Sequence, residues 1–237
     1  MRKLFLSLLM IPFVTKANFM VYPISKEIKG ASSEIIRIYS KSKDTQYIKV
    51  YAKKVVGPGT KDEYEIDVPN WEGALVVTPA RVILPSGSNK SVRLTQLNAP
   101  TTEEVYRVYF ESVKPEAQEN SSGNKTLKTD LSVNVIYAAL IRTLPINIKT
   151  NASVSISPSN NILIKNTGNV RLGIMNVFFC KSSSINDDCV KKSYNKNVYP
   201  GYLLDTMIYN DGYSYLFLDT KDESSNETDN LIQVPII

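Results

Sequence analysis

The chain has 237 residues, with 28 Lys and Arg against 23 Asp and Glu and not one histidine. That absence rules out Ser-His-Asp and Cys-His catalytic arrangements and any histidine-ligated metal site. There is no Gly-rich phosphate loop and no nucleotide fingerprint, and no concentrated basic face of the kind a nucleic-acid protein needs.

In chain order, Arg2 and Lys3 precede the apolar run Leu4–Val14, and the small residue Ala17 closes the segment. This charged, apolar, small-residue order predicts a secretory signal peptide over residues 1–17. The run is too short for a membrane span, which needs about 20 apolar residues. Without Arg2, Lys3 and Lys16, 25 basic residues face 23 acidic ones, an excess of +2.

Short alternating runs then recur over Ile35–Tyr39, Tyr47–Lys53, Tyr64–Val68, Leu75–Val77, Ser91–Leu97 and Glu104–Val113. Gly57-Pro58-Gly59 and Pro85-Ser86-Gly87 punctuate them. No long segment repeats apolar residues at helical spacing. Period-two runs with turn signals between them predict an all-β, immunoglobulin-like sandwich.

The most informative stretch is TDLSVNVIYAALIR, Thr129 to Arg142. Thr129, Leu131, Val133, Val135 and Tyr137 share one face; Asp130, Ser132 and Asn134 share the other. It reads as a long strand following the polar loop Glu116–Lys128, against a usual length of about 5–6 residues. At a sheet edge it would offer another chain both backbone hydrogen bonds and a row of apolar knobs. The same alternation also suits an ordinary strand packed inside its own sandwich.

Pro145 ends that strand, and a second set of short runs follows: Ser153–Ser157, Ile162–Lys165, Val170–Cys180, Tyr202–Ile208, Tyr213–Leu218 and Leu231–Val234. The expected organisation is a first sandwich over 18–143 and a second over 144–237, with a short, stiff connection that lacks a Gly/Ser run. Cys180 and Cys189 bracket KSSSINDD in the second half. In an exported chain, two cysteines this close favour a disulfide that closes a hairpin.

Several of these segments resemble one family. WEGALVVTPARVILPSG (Trp71–Gly87), YRVYFESVKP (Tyr106–Pro115), the alternating strand before Arg142, IKNTGNVRLGIMNV (Ile164–Val177) and YNDGY (Tyr209–Tyr213) together look like the PapD-like periplasmic pilus chaperones of the chaperone–usher pathway. Within that family the likeness is greatest to the branch serving colonisation-factor fimbriae of enteric bacteria. The resemblance spans nearly all of the chain after residue 17 and implies two sandwiches in an L or boomerang arrangement.

It also implies a function. The last strand of the first domain completes a pilin that lacks its own final strand, a form of β-augmentation. Thr129, Leu131, Val133 and Val135 carry over as the donor row. The family grips the pilin's C-terminal carboxylate with basic residues in the interdomain cleft. This chain has no counterpart of the usual first-strand arginine or of the lysine late in the donor strand, so Arg107 is the first candidate and Lys26 the second. Arg142 and Asp211 resemble an interdomain ion pair, with Glu103 or Glu104 as third member. Thr78-Pro79 resembles the family's cis-proline site.

The implied partners are fimbrial major and minor subunits and an outer-membrane usher, in the periplasm, with no cofactor, metal or nucleic acid. A bare donor strand also calls for cover in the free protein. That cover would come from a homodimer through the same strand or from the Glu116–Lys128 loop. Two other classes stay open: an immunoglobulin-like fimbrial structural subunit or adhesin, and a hydrolase or binding protein on a sandwich scaffold.

Overall fold

A computed structural model describes residues 18–68, 75–113, 135–221 and 230–236. Every regular element in them is a strand. The first half supplies β1 (Phe19–Tyr22), β2 (Ser25–Lys29), β3 (Ser33–Ser40), β4 (Gln46–Val56), β5 (Tyr64–Asp67), β6 (Leu75–Thr78), β7 (Arg81–Leu84), β8 (Asn89–Gln96), β9 (Glu104–Val113) and β10 (Ile136–Leu144). One sheet runs β1-β3-β8-β6; the facing sheet runs β2-β10-β9-β4-β5, with β7 also on β4. Alternation decides what lies between them. Ile36, Ile38, Val92 and Leu94 point inward from one sheet, and Ile48, Val50, Val108 and Phe110 from the other, all buried. The chain changes sheet around Pro23: β1 pairs with β3, while β2 runs parallel to β10.

The second half supplies β11 (Ala152–Ile156), β12 (Asn161–Asn166), β13 (Leu172–Cys180), β14 (Val190–Val198), β15 (Leu203–Tyr209), β16 (Tyr215–Lys221) and β17 (Asn230–Pro235). Its sheets run β11-β12-β15 and β14-β13-β16-β17 around a separate core that includes Ile162, Ile164, Val177, Phe179 and Leu218. The fold is therefore all-β with two immunoglobulin-like sandwiches. Cys180, at the end of β13, bonds Cys189 just before β14, with S–S 2.06 Å. The pairing matches the one expected from their spacing. Thr78-Pro79 is cis, and so is Tyr22-Pro23.

A small third cluster joins the halves: Val55 and Val105 from the first sandwich, Tyr199 from the second, with Leu140 packed against them. Polar contacts lie beside it. The Glu103 N–H donates to Asn169 O (2.8 Å), and the Arg171 N–H donates to Glu103 Oε2 (2.6 Å).

Candidate functional site: an open strand edge beside an interdomain cleft

β10 has two unlike halves. It pairs with β9 from Ile136 to Thr143, but with β2 only from Leu140 to Leu144. Among the described residues, no strand pairs with Ile136–Ala139 on the side away from β9. The Leu140 N–H donates to Ile24 O (2.9 Å), away from β9. Backbone direction alternates along an antiparallel strand. The N–H and C=O groups of Ile136 and Ala138 therefore face the open side, and those of Tyr137 and Ala139 face β9.

Side chains follow the same parity. Ala139 and Ile141 are buried in the first core and Tyr137 packs against it, its ring 5.1 Å from that of Phe19. Val135 continues this row, yet it is 40% exposed; Ile136, on the other face, is 48% exposed. Thr129, Leu131 and Val133 lie outside the described residues. Val135 has no regular secondary structure, and the strand expected to end at Arg142 runs on to Leu144.

The outer face of the β9–β10 pair carries Arg107 opposite Leu140 and Tyr109 opposite Ala138, with Lys53 and Tyr51 of β4 alongside. Tyr51 and Tyr109 stack at 5.2 Å. Toward the second sandwich this face borders a cavity of about 320 Å³ lined by Glu63, Arg107, Leu140, Lys196, Asn197 and Tyr199, among others. Arg107 thus lines this cavity, but it is already engaged. Its Nη1 donates to Glu65 Oε1 and its Nη2 to Glu63 Oε1, each at 2.5 Å.

Glu65 also accepts from the Tyr109 hydroxyl (2.7 Å), and Glu63 Oε2 accepts from the Gly59 N–H (2.8 Å). The Gly59 N–H foremost, then Arg107, hold the Glu63 carboxyl below its ordinary range. Partial burial pushes Glu65 up, but hydrogen bonds from Arg107 and Tyr109 outweigh it and leave Glu65 lowered too. The two carboxylates in turn raise Arg107. Gly59 has φ +74, a conformation that suits glycine, and its loop rests on Asn197 and Tyr199 of the second sandwich.

Lys26 is placed elsewhere. It pairs in register with Ile141, a core-side residue, and its Nζ meets Glu34 at 2.9 Å. Its neighbour Glu27 is the residue that shares the Arg142 face. As a cleft cation Lys26 is corrected: strand parity sends it to the opposite side of the sheet.

Arg142 is 2% exposed and bonds Glu103 through Nε (2.6 Å) and Glu27 through Nη1. Glu103 also holds the Arg171 backbone, so the cluster bridges the two sandwiches. Glu104 belongs to a different network, accepting from Lys54 and from the Tyr106 hydroxyl, both at 2.6 Å. Nor is Asp211 part of the Arg142 cluster. It is exposed, in the turn between β15 and β16, and the first residue of β16, Tyr215, pairs with Cys180. Arg171 sits at the opposite end of β13. Nine strand residues span roughly 26–30 Å, which separates Asp211 from the junction.

Sequence reasoning missed Glu27, Glu63 and Glu65. Glu27 was signalled only by its place beside Lys26. Glu63 and Glu65 lie 44 and 42 residues from Arg107 in sequence, and nothing local marks them as its partners.

Two sandwiches, a junction staple and an open edge on the last strand of the first define a chaperone-type molecule, and the comparisons agree. No family model matches the chain. It is 68% identical over 228 residues to a CS1 fimbrial subunit of Escherichia coli, covering 96% of each chain. It is 56% identical to a CFA/I fimbrial subunit of Escherichia coli over the full length of both. The crystal structure of the class 5 fimbriae chaperone CfaA superposes with a TM-score of 0.82 and 51% identity, covering 93% of this chain and 99% of that one. A chaperone–tip adhesin complex of CFA/I fimbriae biogenesis matches with a TM-score of 0.81 and 51% identity, over 92% and 99%. The CsuC–CsuE complex of Acinetobacter baumannii, at 13% identity and a TM-score of 0.51, speaks to the fold alone.

The chain belongs to the class 5 fimbrial chaperones. The curated relatives are called subunits, but the double sandwich matches the chaperone structure along nearly its whole length.

Proposed function

We propose that this protein binds, folds and caps fimbrial subunits in the periplasm by donor-strand complementation, and hands them to an outer-membrane usher. The residues expected to serve are Thr129, Leu131, Val133 and Val135 as plugs, with the Ile136 and Ala138 backbone as the adjoining ladder. The single observation that carries the reading is that, among the described residues, no strand pairs with Ile136–Ala139 on the side away from β9. A guest strand laid there would gain sequence-independent main-chain bonds, while alternate side chains filled its open groove. Each plug buried in the guest contributes about 1.5–3 kcal/mol. No covalent step is required, so the protein acts as an assembly factor and not as an enzyme. Arg107 is the cleft cation for the guest's terminal carboxylate, and a homodimer through β10 covers the edge in the free protein. The relationship to a chaperone seen with a tip adhesin supports fimbrial subunits as guests.

The test is co-expression with a fimbrial subunit. In company with the wild-type chain the subunit resists proteolysis; with Leu131→Asp and Val133→Asp together it is degraded. Unchanged protection by the double variant would refute the donor role.

A further inference from the structure

The two carboxylates on Arg107 are not equivalent. Glu65 belongs to β5, and its carboxylate takes bonds from both Arg107 and Tyr109. Glu63 lies one residue before β5, at the end of the Gly57–Asp62 loop, and among the described residues is held by the Gly59 N–H and by Arg107. Glu63, not Glu65, lines the cleft cavity, as does Lys196 of the second sandwich; Lys196 makes no salt bridge among the described residues. The rest of the lining is mixed, with apolar Val55, Val105 and Leu140 on the first sandwich and Asn195, Asn197 and Tyr199 on the second. Arg107 gives this pocket a seat for a carboxylate, and the chain's own Glu63 occupies it.

We propose that Glu63 is a built-in competitor, which holds the Nη2 end of Arg107 until a guest's terminal carboxylate displaces it. Glu65 stays in place and keeps the guanidinium aimed into the cleft, so Arg107 never loses its orientation during the exchange. Swapping one carboxylate for another leaves the number of charge-assisted bonds unchanged. Guest binding in the cleft is therefore weaker than an empty arginine would give, which favours later release. A guest without a free carboxylate gains nothing at Arg107, so Glu63 sets a threshold that only a true C-terminus passes.

This inference rests on the proposed role of Arg107 as carboxylate anchor, and the experiment separates the two. A fimbrial subunit that co-purifies with the chain is prepared with its natural C-terminal carboxylate and, by semisynthesis, as the C-terminal amide. Affinities are measured for the wild type, Glu63→Gln and Arg107→Ala. Glutamine keeps an acceptor for the Gly59 N–H while removing the charge and the oxygen that accepts from Arg107, and melting curves check that each variant is folded. Glu63→Gln is expected to bind the carboxylate form about two- to fivefold tighter, the range of a partly exposed ion pair, and the amide form unchanged. Arg107→Ala is expected to bind the carboxylate form roughly tenfold or more weakly. If Arg107→Ala weakens the acid while Glu63→Gln does not tighten it, the competitor is overturned and the anchor stands. If Arg107→Ala leaves acid and amide equally bound at wild-type strength, the anchor fails and the competitor with it.

Discussion

The inner and outer halves of β10 share one strand and one neighbour, β9, yet have opposite fates. From Leu140 to Thr143 the strand is flanked on both sides, and its outward-facing Arg142 is 2% exposed between Glu103 and Glu27. From Ile136 to Ala139 it has, among the described residues, a partner on one side only, with Ile136 about half exposed. The same alternation thus builds a sealed staple at one end and a landing strip at the other. What differs is the length of β2, which stops pairing at Leu140.

The largest expected effect comes from breaking the inner half. Arg142→Ala leaves the fully buried Glu103 carboxylate without its guanidinium, a loss of about 3–5 kcal/mol, read as a drop in denaturant midpoint. Wild-type stability would show that the cluster is not the joint described above. Next, Ala139→Pro removes an N–H aimed at β9 and leaves a buried carbonyl unmatched; unfolding should become easier by about 1–3 kcal/mol. Its neighbour gives the sharper contrast. Ala138→Pro removes an N–H on the open side, where an edge strand tolerates proline. The free protein should keep its stability to within about 1 kcal/mol, while the guest complex dissociates faster. Equal destabilisation by the two prolines would erase the distinction between the sides of β10.

The smallest effect is electrostatic. Glu63 and Glu65 have lowered pKa values, so their pairing with Arg107 contributes fully above the ordinary carboxylate range. That contribution fades as pH falls through the lowered folded-state values. Both are partly exposed, so the effect should stay below about 1 kcal/mol. Melting temperature followed from pH 7 to pH 3 should therefore fall slightly less steeply in Arg107→Gln than in the wild type.

Much of this was legible in the sequence because alternation dictates burial. Glu104–Val113 is read without error, and the β3, β4, β8 and β13 runs fall within two or three residues of their observed bounds. β14 was missed because VKKSYNKNV carries almost no apolar alternation; its place comes from pairing with β13, not from its own pattern. β2 was missed because SKEIK has one buried residue, Ile28. The site was legible only in part for the same reason. Arg107 is assigned to the cleft only through the family resemblance, for want of the usual cations. Its carboxylate partners come from a turn and strand 42 and 44 residues away and required the tertiary fold. The Arg142 cluster shows the limit of analogy: Glu103 joins it, and Glu27 takes the place expected of Asp211.

Backbone amide exchange along β10, in the free chain and with a fimbrial subunit bound, tests the bare edge most directly. Tyr137 and Ala139 should exchange slowly in both states, while Ile136 and Ala138 should exchange quickly when the protein is alone and slowly once the guest is seated. Exchange at Ile136 and Ala138 that stays equally fast in the complex would contradict strand donation at this edge.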